Sequence, residues 1–152
     1  MLTGPLLHPE ILAALARAGH GSTILIADGN FPASTTLGPN AQLVSLNLAP
    51  GVVSCTQVLA ALANQVPIER AQVMGYARNG PHSLAADPPI WSEFRSLLLS
   101  AGADLALEEV ERAEFYRYAA QPNVALTIAT AERAIYANLL LTIGVRRDAA
   151  GQ

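Results

Sequence analysis

The 152-residue chain contains no lysine; its nine basic residues are all arginine. That absence excludes Schiff-base catalysis by this chain and a Walker-type phosphate loop, both of which need a lysine amine. Cysteine occurs once, as Cys55, so an internal disulfide, a thiolate zinc cluster and a CxxC redox pair are excluded as well. Charge is scarce: charged residues make up 14% of the chain, against about 25% in an average soluble domain. The formal net charge is −3 and there is no basic stripe, which argues against a nucleic-acid-binding surface. His8, His20 and His82 are the only histidines and are too scattered for a local metal motif. Met1 to Pro9 lacks the charged and apolar regions of a targeting segment. Residues 29–68 carry no charge, but Pro32, Gly38, Pro39, Pro50 and Gly51 interrupt them, so they do not read as a membrane span. These absences describe a soluble, cytoplasmic protein.

Apolar residues are plentiful, at 51%, with a mean hydropathy of +0.31. That excludes disorder. With so few charges, some apolar surface is expected to lie against another chain. The length fits one domain, taken as residues 1–152.

Pro9 to Ala18 reads as a helix, with proline at the first helical position and Ile11, Leu12, Leu15 and Ala16 on one face. Ser22 to Ala27 reads as a buried strand and Asp28 to Gln42 as a long loop of the kind that carries function. Leu43 to Leu48 reads as a second strand. Ser54 with Gln57 forms a capping box that opens a helix to about Asn64. A strand over Ala71 to Ala77, a Gly-, Pro- and His-containing loop, and a helix over Pro89 to Ala101 follow. Leu105 and Leu107 suggest a short strand, Glu111 to Ala120 a helix, and Val124 to Ala129 and Asn138 to Ile143 two strands. This alternation predicts an α/β protein layered around one sheet.

Several residues are candidates for chemistry. His20 lies between Gly19 and Gly21, before the first strand. It reads as a helix-ending group bonded to the last carbonyls, or as a general acid or base. Asp28 ends that strand. It reads as an Asx-turn carboxylate, or as a ligand contact at the carboxyl end of a strand, where α/β sheets bind ligands. Arg112, among Glu111 and Glu114, reads as a surface ion pair or a binding group. Tyr136 and Asn138 precede the last strand and suit either sugar hydroxyls or a polar turn. Trp91, Phe115 and Tyr116 read as core, and Cys55 as a buried apolar residue rather than a nucleophile.

Four pieces in this order give a resemblance. They are Pro9-Glu10-Ile11-Leu12 leading to Gly19-His20-Gly21, then Asp28-Gly29-Asn30-Phe31-Pro32-Ala33, then Glu111-Arg112-Ala113-Glu114-Phe115-Tyr116, then Glu132 to Asn138 closing with Leu140 to Val145. From Pro9 to Val145 the chain resembles the D-ribose pyranase and L-fucose mutarotase family (RbsD/FucU). The Gly-His-Gly and Phe-Tyr pieces are closer to the fucose branch. The resemblance implies a layered mixed β-sheet flanked by helices. It implies cofactor-free interconversion of anomers or ring forms of a free monosaccharide, with no metal, in a homo-oligomer that is often a decamer. By position, His20 is the implied proton donor, and Asp28, Arg112, Tyr136 and Asn138 the implied sugar contacts. One departure stands out: the fucose-type pattern has histidine two residues after the aspartate, where this chain has Asn30.

Two other classes share the same residues. One is a non-catalytic sugar-binding or transport accessory; the other is a structural ring whose pocket has drifted. The sequence also sets a geometric expectation. An extended segment over 21–27 puts His20 and Asp28 eight steps apart, roughly 26 Å at about 3.3 Å per step. A single monosaccharide then reaches both only if they come from different copies of the chain. The inventory of donors needs neither a metal nor a nucleotide, so sugar exchange is expected to survive exhaustive chelation and dialysis. Loss of activity that one specific metal restores would contradict this.

Overall fold

The computed structural model describes residues 2–147. Ten elements follow one another: α1 Pro9–Arg17, β1 Thr23–Ala27, β2 Gln42–Ser45, α2 Cys55–Leu62, β3 Ile68–Met74, α3 Pro89–Ser100, β4 Leu107–Val110, α4 Arg112–Ala119, β5 Val124–Ala129 and β6 Leu139–Ile143. All six strands form one sheet in the order β2-β5-β1-β6-β3-β4. β1 and β2 run parallel to β5, and β3 runs parallel to β4. β6 is antiparallel to both its neighbours, β1 and β3. The expected mixed-sheet α/β fold is therefore present.

The two central strands are apolar at nearly every position because both faces of the sheet are covered. All five residues of β1 are buried. Strand side chains alternate between faces, so Ile24 and Ile26 join Leu139, Leu141 and Ile143 in a core with residues of α1, α2 and α3. Leu25, Ala27 and Leu140 point the other way, into a smaller core with Phe115 and Ala119 of α4. The helices start where their caps dictate. Ser54 and Gln57 form a reciprocal capping box at α2, and Glu111 accepts from the Ala113 and Glu114 amides at α4. Each satisfies amides that the first helical turn leaves free.

Several boundaries differ from the sequence reading, β4 among them at Leu107–Val110, and three have a clear cause. β1 begins at Thr23, because Gly21 takes a φ of +81° and turns the chain before the strand. β2 stops at Ser45; it is an edge strand paired only with β5, and the chain turns away after it. β3 runs from Ile68 to Met74 rather than from Ala71 to Ala77. Its first half pairs with β6 through the Ile68–Ile143 register, so Glu69 and Arg70 are strand residues despite their exposure. At its far end a Cβ on Gly75 would meet the Glu109 side chain at 2.8 Å, so any larger residue there has to displace Glu109.

The direction of the strands settles what lies at each end of the sheet. The carboxyl ends of β1, β2, β3, β4 and β5 share one edge with the amino end of β6. The opposite edge holds the chain before β1, the start of β3 and the end of β6. There Gly21 donates to the Ile143 carbonyl at 2.9 Å.

Cys55 is fully buried at the start of α2, with Sγ 3.3 Å from Thr130 Oγ1. Burial pushes its thiol up to about 12, so no thiolate is present near neutral pH. In the native protein Cys55 should resist thiol reagents at pH 8 and react fully in denaturant. Rapid labelling of the native form would contradict this placement.

Candidate functional site

Asp28 follows β1 and Asn138 precedes β6, so the antiparallel pairing of the two strands brings them together. Both are buried, and their groups are bonded reciprocally. The Asp28 amide donates to Asn138 Oδ1 at 2.9 Å. Asn138 Nδ2 donates to Asp28 Oδ2 at 3.0 Å. The carboxylate also accepts from the Asn30 amide at 2.9 Å and the Ala137 amide at 3.3 Å. The bond to Asn30 is the Asx turn expected from the sequence, and the same carboxylate also faces a cavity. Burial is the larger influence on this group and raises its pKa, although the hydrogen bonds from Asn30, Ala137, Phe31 and Asn138 oppose it.

Arg112 is the first residue of α4, beside the Glu111 cap. Among the described residues it makes no ion pair, so the surface-pair reading does not apply. Its guanidinium lies 5.9 Å from the centre of the Tyr116 ring, and that ring stacks on Phe31 at 5.4 Å. Arg112 and Tyr116 are four residues apart on one helical face, and that spacing was the available signal for Tyr116. Phe115, by contrast, is core.

Tyr136 has a φ of +56°, a backbone state that costs a side-chain-bearing residue about 1–3 kcal/mol. Its surroundings hold it there. Trp91 Nε1 donates to the Tyr136 carbonyl at 2.9 Å, and the Tyr76 ring lies 5.8 Å from both the Tyr136 and Trp91 rings. Trp91 is therefore core, as expected, and it also fixes a pocket residue.

Asp28, Arg112, Tyr136 and Asn138 line one open cavity of about 390 Å³, together with Asn30, Phe31, Tyr116 and the loop residues Pro81 to Leu84. It offers a carboxylate acceptor, a guanidinium donor, a phenol and an amide against an aromatic wall, a combination that suits a small polyhydroxylated ligand. No cluster of metal-ligating side chains occurs among the described residues. His20 is elsewhere. It is exposed at the opposite edge of the sheet, with Nε2 3.2 Å from each carboxylate oxygen of Glu69 on β3. The five-residue strand between them alone spans about 13 Å. His82, which carries no motif in the sequence, lines the cavity; only the fold of its loop reveals it.

Comparison with known proteins agrees with this architecture. The family model described as the RbsD / FucU transport protein family matches residues 1–146. The chain is 37% identical over 145 residues to the fucose mutarotase of Homo sapiens, covering 92% of this chain and 90% of that protein. Among solved structures, FucU from Bifidobacterium longum aligns with a TM-score of 0.74 at 35% identity, covering 93% of this chain and 97% of that one. The fucose mutarotase from Streptococcus pneumoniae, solved in complex with L-fucose, aligns with a TM-score of 0.81 at 24% identity over 97% of this chain and 100% of that one, a likeness of fold. The protein belongs to the RbsD/FucU family.

Because its native pKa is raised, Asp28 holds its proton more tightly in the folded protein than in the unfolded chain. Its contribution to stability is full below the ordinary carboxylate value and is lost as pH rises through the raised native value. Ionising this carboxyl in the folded protein thus costs stability. Carboxyl-carbon NMR should give Asp28 a midpoint above the ordinary value of about 3.9. A midpoint at or below that value would show that the hydrogen bonds, not burial, dominate.

Proposed function

We propose that the protein is a monosaccharide mutarotase, an isomerase that interconverts the anomers or ring forms of a free aldose, with L-fucose as the first substrate to test. The observation that carries this reading is the convergence of Asp28, Arg112, Tyr136 and Asn138 on one cavity at the sheet edge. The relatives named fucose mutarotase support it.

The chemistry asks little of a protein. A cyclic hemiacetal opens when its ring oxygen gains a proton and its anomeric hydroxyl loses one. The aldehyde rotates and recloses on its other face. The catalyst must hold the hydroxyls, move a proton and stabilise transient charge. In the proposed site Asp28 accepts from a sugar hydroxyl, and the Asn138 amide and Tyr136 phenol fix others. The Arg112 guanidinium stabilises a developing alkoxide. Positioned proton transfer adds roughly 10²–10⁴-fold.

His20 is the proposed proton donor, contributed from a second copy of the chain. Glu69 accepts from the imidazole or pairs with the imidazolium, so it fixes the ring's orientation. The separation of His20 from the cavity across β1 supports an intersubunit site. So do the exposed apolar side chains Leu48, Val52 and Ile135, which a neighbouring chain would cover. A cytoplasmic homo-oligomer, as large as the decamer the sequence resemblance implies, is part of this proposal. Among the described residues no helix is long and apolar enough to cross a membrane.

The decisive experiment is exchange NMR on fucose, ribose, galactose and glucose with and without the protein. Accelerated exchange of at least one sugar is expected, and binding without acceleration would leave only a sugar-binding module. His20→Ala should fold normally and lose activity by about 10²-fold or more. Mixing inactive His20→Ala and Asp28→Asn subunits, with the folding of each and subunit exchange verified, should restore part of the activity. An active His20→Ala variant, or no recovery on mixing, would refute the intersubunit assignment.

A further inference from the structure

We infer that His82 is a sugar-contacting residue of this site, placed there by a clamped loop between β3 and α3 as a specificity determinant for the bound aldose. The inference rests on the mutarotase reading and adds to it a residue that no motif identifies.

The loop is built to hold one shape. At its foot, the buried Tyr76 donates its hydroxyl to Asp87 Oδ1 at 3.0 Å. Arg78 covers the Tyr76 ring at 4.1 Å and pairs with both Asp87 and Glu109. The two ends of the loop are thereby tied to each other and to β4. Its tip is a tight turn. Gly80 has a φ of +93°, the Ser83 amide donates to the Gly80 carbonyl at 3.1 Å, and Ser83 Oγ donates to the same carbonyl at 2.8 Å. Pro81 and His82 are the two central residues of this turn, and proline at the first central position favours such a turn. The foot of the loop is also part of the Tyr136 environment, because the Tyr76 ring packs against Tyr136.

Held this way, His82 lines the cavity with Asp28, Asn138, Arg112 and Tyr136, and among the described residues of one chain it is the only imidazole that does. The charged groups facing the cavity are one-sided: Asp28 only accepts hydrogen bonds when ionised, and Arg112 only donates. A sugar hydroxyl is both donor and acceptor. A neutral imidazole can meet it in either sense. Asn30, the neighbour of Asp28 on the cavity wall, offers an amide whose donor and acceptor ends are fixed, whereas the two ring nitrogens of His82 give a donor and an acceptor on one side chain. Its position on the loop after β3, rather than on β1, β6 or α4, lets it read a part of the sugar that the Asp28–Asn138 pair does not hold.

The test uses the full-length protein with L-fucose as probe. His82→Gln keeps a polar side chain on an exposed turn and should not disturb folding. We expect it to raise KM by about 3–10-fold, the range for one lost hydrogen bond, with kcat within about twofold. The chain has three histidines, so the His82 ring resonance is the one missing from the His82→Gln spectrum. In the wild type that resonance should shift on titration with L-fucose. Wild-type acceleration with an unchanged KM in the variant and an unmoved His82 resonance would overturn the inference and leave the mutarotase reading intact. Failure of the wild type to accelerate exchange would overturn the mutarotase reading, and the inference with it.

Discussion

The structure depends most on the reciprocal bonding of Asp28 and Asn138. It joins the end of β1 to the start of β6, the two strands at the centre of the sheet. A carboxylate buried against an apolar strand end would be costly if unpaired. Here three nitrogen donors, from Asn30, Ala137 and Asn138, lie within hydrogen-bond distance of its oxygens. The same bonds close the loop after β1 and the turn before β6. Folding and the proposed function therefore share one network: the side chain that completes the sheet edge also faces the cavity.

Around that floor, the remaining side chains are fixed by packing rather than by chain direction alone. Arg112 is placed by the cap that starts α4 and by the Tyr116 ring, which is itself stacked on Phe31. Tyr136 is placed by a positive φ that Trp91 and Tyr76 maintain from the layer below. Strain of this kind persists only where the surroundings over-determine it. The contacts of Trp91 with the cavity residue explain why a large aromatic side chain, read as core, also governs the site. Each element thus reaches the cavity through a second side chain that holds it.

The sequence made the fold legible because its signals are local. The fully apolar run of β1, the capping box of α2, and the proline starts of α1 and α3 all depend on near neighbours. β3 was harder to read, because Glu69 and Arg70 look like loop residues until the pairing of Ile68 with Ile143 and of Arg70 with Thr142 places both inside the strand. For the site, Asp28, Arg112, Tyr136 and Asn138 were marked by the ordered motifs that resemble the family, while each residue by itself also fitted a structural role, and the structure brings the four together on one cavity. His82 and Tyr116 were not. His82 reaches the cavity only because bonds among Tyr76, Arg78, Asp87 and Glu109 fold its loop back, a relation between positions far apart in sequence. Tyr116 differs from the core residue Phe115 only in which face of α4 it occupies.

The direction of the strands has a further consequence for the proposed assembly. β6 runs antiparallel to β1, so Asn138 and Ile143 mark opposite edges of the sheet; Asp28 meets the first and Gly21 the second. The groups proposed to hold the sugar and the His20–Glu69 pair therefore lie at opposite edges of the sheet within one chain. An assembly that completes one site with a neighbour's His20 uses both edges of every chain, so each copy takes part in two sites. On the proposed reading, dissociation removes the His20 proton donor while leaving the cavity whole, since none of the cavity's lining comes from the His20 edge. Binding and catalysis would then separate with the oligomeric state, and the apolar surface left exposed on one chain would serve the chemistry as well as the association.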